Sequence, residues 1–176
     1  MCNLPAPWPA FLSDVDQSLS EPVELHCVGG FVLTSVYGIS RSTADLDYVD
    51  VVPLRAAAEL GRIAGSDSDL AKKHKVYVQF VGVSDYPEDY KSRLIPLSLG
   101  LKKLTLLTFE PYDLLLSKLT RNSDKDMEDV HALAQKLHLK FSVLLKRFND
   151  EMTVSRREWH EQTLTKVWKD YFDPEH

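Results

Sequence analysis

Long apolar runs are missing from this chain of 176 residues. No stretch approaches the ~18 consecutive apolar residues that a bilayer-spanning helix needs. The start, MCNLPAPWPAF, has neither the basic n-region nor the unbroken apolar core of a secretory leader. Cysteine is scarce: Cys2 and Cys27 alone cannot build a disulfide framework, so a reducing compartment fits. An excess of positive charge is missing too. Lys and Arg total 21 against 26 Asp and Glu, a net charge of −5, which excludes a passive nucleic-acid coat built on a strongly basic face. A local basic patch stays compatible. The six His show no His-Glu-x-x-His or Cys/His zinc spacing, and there is no Gly-x-Ser-x-Gly elbow. These absences predict a soluble cytoplasmic protein with no membrane partner.

The hydrophobic share of 44% is enough for a packed core. PAFLSDVDQSL puts Phe11, Leu12, Val15 and Leu19 on one helical stripe, and Glu21-Pro22 ends it. VELHCVGG alternates apolar and polar residues, a strand ending at Gly29-Gly30. FVLTSVYG reads as a short helix stopped at Gly38. ADLDYVDVV is a second strand, PLRAAAELGRIAG a helix, KVYVQFVGV a third strand. YPEDYKSRL reads as a further helix start and KKLTLLTF as a further strand. From Pro111 the pattern is helical through PYDLLLSKLTRN, SDKDMEDVHALAQKL, SVLLKRFNDEM and SRREWHEQTLTKVWKDYF. In the last of these, Trp159, Val167, Trp168, Tyr171 and Phe172 share a stripe. The expected fold is α+β: a mixed-sheet core over residues 1–110, followed by a helical subdomain over 111–176.

Four Asp-x-Asp pairs occur: Asp14/Asp16, Asp45/Asp47, Asp67/Asp69 and Asp124/Asp126. On a helix, residues two apart point roughly 200° apart, so Asp14 and Asp16 read as solvated acids. Asp67/Asp69 and Asp124/Asp126 lie at helix starts, where acids favour the dipole. On a strand, residues two apart share a face. Asp45 and Asp47 then project together, on a face expected to continue through Val49 and Val51. Like charges held that close repel. A hard cation such as Mg²⁺ relieves the repulsion and keeps coordination room for phosphate oxygens. The plain alternative is a charged edge strand. Ahead of the pair, Gly29-Gly30 allows a tight strand-to-helix turn whose N–H groups can cradle a phosphate.

The stretch VGGFVLTSVYGISRSTADLDYVDV resembles the signature of the nucleotidyltransferase superfamily, with the DNA polymerase beta-like fold. Its spelling through Arg41, Thr43, Asp45 and Asp47 is similar to the small stand-alone bacterial branch of abortive-infection and toxin–antitoxin nucleotidyltransferases. A second block, PYDLLLSKLTRNSDKDMEDVHAL, resembles that branch's downstream motif at Lys118, Arg121, Asp126 and Asp129. The resemblance implies that Gly29 and Gly30 hold a triphosphate. It implies that Asp45 and Asp47 bind Mg²⁺ and that Arg41, Thr43 and Arg121 contact the nucleotide. It implies further that Lys118 reaches the phosphates or leaving group, and that Asp126 or Asp129 holds Lys118 or another active-site cation in place.

The implied reaction moves a nucleoside monophosphate from an NTP to a hydroxyl of tRNA or protein. The implied setting is a toxin with a cognate antitoxin. Many superfamily members carry a third carboxylate on a later strand. Here KVYVQFVGV offers Gln79, with Asp85, Glu88 or Asp89 as more distant sources. Gln adds no charge and is a poor base, so a non-catalytic nucleotide- or partner-binding relative is the alternative expectation. His26, facing away from Leu25 and Cys27, reads as a surface or packing residue, Cys27 as buried and inert, and the lysines at 72, 73 and 75 as solvated surface.

Overall fold

The structure is a computed structural model. It describes residues 4–39, 42–82, 85–119, 123–153 and 157–172, without the side chains of 157–160, 167 and 170–172. Two compact units form: residues 1–82 with 94–109, and residues 83–93 with 110–176. Each is described by itself.

The first unit is a five-stranded mixed sheet with helices. β1 (Val23–Val28), β2 (Asp45–Val52), β3 (Tyr77–Phe80), β4 (Ile95–Leu97) and β5 (Leu104–Thr108) lie in the order β3-β2-β1-β5-β4. β1 runs antiparallel to β2 and parallel to β5. β2 runs parallel to β3, and β4 antiparallel to β5. The acid-bearing β2 is thus an interior strand, which removes the charged-edge alternative for Asp45 and Asp47. β4 has no counterpart in the sequence pattern. It is three residues long and contains Pro96, a residue that sheets tolerate at their edges.

The apolar side of the sheet carries Leu25 and Cys27, Leu46, Tyr48 and Val51, Val78, and Leu104 and Leu106, all buried. Helices α1 (Trp8–Ser18), α3 (Ala57–Ala64) and α4 (Asp69–His74) pack on one another and reach the sheet at β5 and β3. The α1 stripe of Phe11, Leu12 and Val15 is fully covered. Each such side chain contributes about 1.5–3 kcal/mol by leaving water.

Asp16 departs from the solvated reading. It is only 7% exposed. Its Oδ1 accepts backbone N–H groups of Lys102, Lys103 and Leu104 at 3.0, 2.6 and 2.8 Å. The carboxylate therefore fixes the entry to β5, a contact 86 or more residues away in sequence that local periodicity does not register. Asp14 is engaged as well, at 2.7 Å from both Lys73 and His74. Burial alone would raise the Asp16 pKa. The N–H bonds from Leu104, Lys103 and Lys102 outweigh it and hold the carboxyl below its ordinary value.

A depressed folded pKa adds stability above the unfolded value and loses it as pH falls through the folded one. Asp16→Asn is expected to cost roughly 2–3 kcal/mol at neutral pH, because charge-assisted bonds are lost and an amide N–H₂ faces backbone donors. Melting temperatures taken from pH 6 to pH 2.5 check this. The gap between wild type and variant should narrow once pH drops below about 3.8, the ordinary aspartate value.

In the second unit, a 3-10 turn (Tyr90–Arg93) stands where a helix start was expected. Four helices follow: α5 (Pro111–Leu119), α6 (Asp124–Leu137), α7 (Phe141–Glu151) and α8 (Arg157–Phe172). These match the four helical stretches of the sequence. Trp168 stacks on Phe141, ring centroids 5.0 Å apart. The other members of the expected α8 stripe, Trp159, Val167, Tyr171 and Phe172, lie outside the residues described at side-chain level. Among the described residues no helix is long and apolar enough to cross a membrane.

Candidate functional site

β1 ends at Val28 in extended backbone, and α2 (Gly29–Ser35) begins on the next residue. Gly29 and Gly30 are therefore the first two helical residues, not a separate turn. The abrupt change is possible because Gly29 has φ +74, a region that costs a residue with a Cβ about 1–2 kcal/mol. A Cβ at Gly29 would lie 2.3 Å from Asp47 Oδ2. Glycine here thus gives both the backbone turn and the space in which the Asp47 carboxylate sits.

Asp45 and Asp47 share a face of β2, as strand periodicity requires. The face does not continue through Val49 and Val51. His26 pairs with Asp50 while Cys27 pairs with Tyr48, so Val49 is an extra residue, a β-bulge. Past the bulge the alternation shifts by one. Val51 points to the apolar side with Leu25, and Asp50 joins Asp45 and Asp47 on the other. There His26 is buried, with Nε2 3.0 Å from Glu24 Oε1 and Nδ1 3.8 Å from Asp50 Oδ2. The His26 side chain is thus a paired group on the acid-bearing face.

Across the strand boundary, Gln79 is the register partner of Asp47, and Tyr77 that of Asp45. An amide thus stands beside the second acid. Cys27 is buried on the apolar side, and burial, with the Asp47 charge as a smaller cause, pushes its thiol pKa well above the ordinary range. It is inert, as expected.

In the second unit Lys118 is 2% exposed. Its Nζ donates to Asp129 Oδ2 at 2.7 Å and to Asp126 Oδ1 at 3.2 Å. Ser123 caps α6 by accepting the Asp126 N–H at 3.2 Å, and its hydroxyl donates to Asp126 Oδ2 at 2.6 Å. One serine thus starts the helix and orients one of the two acids. Both carboxylates hold the lysine, and Lys118 is no solvated surface residue. Arg41 and Arg121 lie outside the described residues.

A family model described as nucleotidyltransferase of unknown function (DUF6036) matches residues 11–175. The chain belongs to that family. No curated protein and no solved structure gives a significant match.

Nucleotidyltransferases as a class use divalent metal ions, and the residues present fit one. Among the described residues, no three His, Cys, Asp or Glu side chains are grouped to hold a metal by themselves. A two-carboxylate set is nonetheless what a hard, hydrated cation accepts when water and phosphate oxygens complete its shell. The Gly29 gap keeps backbone, not side chain, against Asp47. In this nucleotidyltransferase Gly29→Ala is expected to displace the Asp47 carboxylate, lower transfer at least tenfold and cost about 1–2 kcal/mol of stability. Initial rates beside a thermal melt separate the two effects.

Proposed function

We propose that the chain is a Mg²⁺-dependent nucleotidyltransferase that moves a nucleoside monophosphate from an NTP to a macromolecular hydroxyl. The observation that carries this is the pair Asp45 and Asp47 on one face of an interior strand, with Gly29 opening the space beside Asp47. Asp45 and Asp47 would hold the cation, which when bound neutralises phosphate charge. The backbone N–H groups of Gly29 and Gly30 hold the triphosphate. Arg41 and Arg121 are assigned to nucleotide contacts. Within the second unit Asp126 and Asp129 keep the Lys118 ammonium in one place; a part for Lys118 in transfer rests on the sequence resemblance. The acceptor hydroxyl oxygen forms a bond to the α-phosphorus, the bond from that phosphorus to the oxygen bridging to the β-phosphorus breaks, pyrophosphate leaves, and the hydroxyl proton passes to solvent. An acceptor on tRNA or protein, and service as a toxin with a cognate antitoxin, rest on the sequence resemblance.

A second reading, a nucleotide-binding relative that no longer transfers, is favoured by Gln79. It stands in register with Asp47, where a carboxylate would add both a ligand and a base. Glu88 and Asp89 are engaged within the second unit, with Thr153 and with Ser92.

One assay tests both readings. The protein is incubated with Mg²⁺, each of the four α-labelled NTPs, and tRNA or cell lysate, beside Asp45→Ala and Asp47→Ala. Labelled product that disappears in both variants supports transfer. Nucleotide binding by calorimetry without product supports the second reading. Absence of Mg²⁺–NTP binding overturns both.

A further inference from the structure

The Thr43 hydroxyl does not stand free for a nucleotide. It lies within hydrogen-bond reach of two acceptors on one residue, the Asp45 carboxylate Oδ1 and the Asp45 backbone carbonyl, the latter at 3.3 Å. A hydroxyl has one proton to donate. The ionised carboxylate is the stronger acceptor and takes it.

Asp45 is the first residue of β2, where the sheet's pairing with β3 begins at Tyr77. Without a tether, a half-exposed aspartate at a strand start samples several rotamers. We infer that Thr43 is a positioning residue for Asp45, fixing one carboxylate oxygen and with it the rotamer from which Asp45 would hold the cation. This rests on the cation reading above and deepens it.

The two acids are then restrained from different directions. Asp45 is held by a hydroxyl two residues before it. Asp47 is set against the backbone of Gly29, where any side chain would collide. A pair restrained in this way binds a cation without first losing the rotamer freedom of its ligands. Partners that orient ligating carboxylates typically carry a 10–100-fold share of metal affinity or activity.

The test compares Thr43→Val, which keeps the branched shape and removes the donor, with Thr43→Ser, which keeps the donor. Mn²⁺ is titrated into the nucleotide-free protein and followed by water-proton relaxation, beside thermal melts and transfer rates. Thr43→Val is expected to weaken Mn²⁺ binding about tenfold and to lower kcat more than it raises KM for the NTP. Thr43→Ser should return both to within about threefold of wild type. A Thr43→Val protein that binds Mn²⁺ like wild type overturns the inference, and so does one whose losses Ser fails to restore. A rise in KM for the NTP with Mn²⁺ affinity unchanged would return Thr43 to direct nucleotide contact.

Asp45→Ala distinguishes the failure of the underlying reading. If Mn²⁺ binding is absent in wild type, or survives Asp45→Ala, the cation seat itself is wrong. If Asp45→Ala abolishes binding and Thr43→Val leaves it intact, only the role of Thr43 falls.

Discussion

Asp47→Ala is expected to lower nucleotidyl transfer by about 10³-fold or more, equivalent to roughly 4 kcal/mol of transition-state stabilisation. Asp45 and Asp47 are like charges on one face of one strand, a repulsion that a bound cation would offset. Most substitutions that abolish activity by damaging a fold lower stability as well, so a melt beside the rates tells a lost cation ligand from a lost fold.

Asp47→Asn sharpens the result, since it keeps the shape beside Gly29 and removes only the charge. Transfer rates at rising Mg²⁺, together with urea melts, check the prediction. A variant that loses stability along with activity would mean that Asp47 holds the sheet together and that its place beside Gly29 is architectural.

The largest loss of stability from a single polar change is expected in the second unit, at Asp113. Its side chain is 1% exposed. Its oxygens accept from Arg93 Nε and Nη2 at 2.9 and 3.1 Å and from Arg147 Nη1 at 2.9 Å. Arg93 continues to Glu151, and Arg147 to Glu110. Glu110 in turn accepts the Asp113 N–H at 2.8 Å. Burial opposes the Arg93 charge, but the bonds to Asp113 and Glu151 outweigh it and hold its pKa above the ordinary value.

Asp113→Ala leaves two partly buried guanidinium groups short of their shared acceptor. Breaking a buried pair from one side costs about 3–5 kcal/mol, a large part of the stability of an ordinary domain. The expected result is a lowered urea midpoint with little protein folded at physiological temperature. Asp113→Asn, which keeps the shape and part of the acceptor capacity, should lose less. Equal, small losses in both would mean that water replaces the carboxylate and that the network contributes little.

Neither Asp113 nor Asp16 stands out in the sequence. Asp113 sits in PYDLLL as an ordinary acid in a first helical turn, because its partners come from positions 93 and 147. Asp16 looked solvated because its donors start 86 positions later. Polar groups whose partners are remote in the chain leave no periodic trace. The helices of the second unit were legible because apolar spacing is a local signal. The acid pair was legible for the same reason: period-2 geometry needs only neighbouring residues. β4 was not, since three residues around a proline carry no pattern of their own. Nor was the bulge, which exists only in the pairing of β2 with β1.

That bulge gives β2 two independent phases. Before Val49 the residues facing away from the apolar layer have odd numbers, Asp45 and Asp47. After it they have even numbers, Asp50 among them. A strand of unbroken alternation would have to choose between Val51 inside and Asp47 outside, because both are odd. The inserted residue lifts that choice, so the chemical half and the packing half of one strand can each change without forcing the other to turn over. Residue count between Asp47 and Val51 is then a conserved quantity of the fold in a geometric sense. Losing one residue there would send either a carboxylate into the apolar layer or a valine out of it.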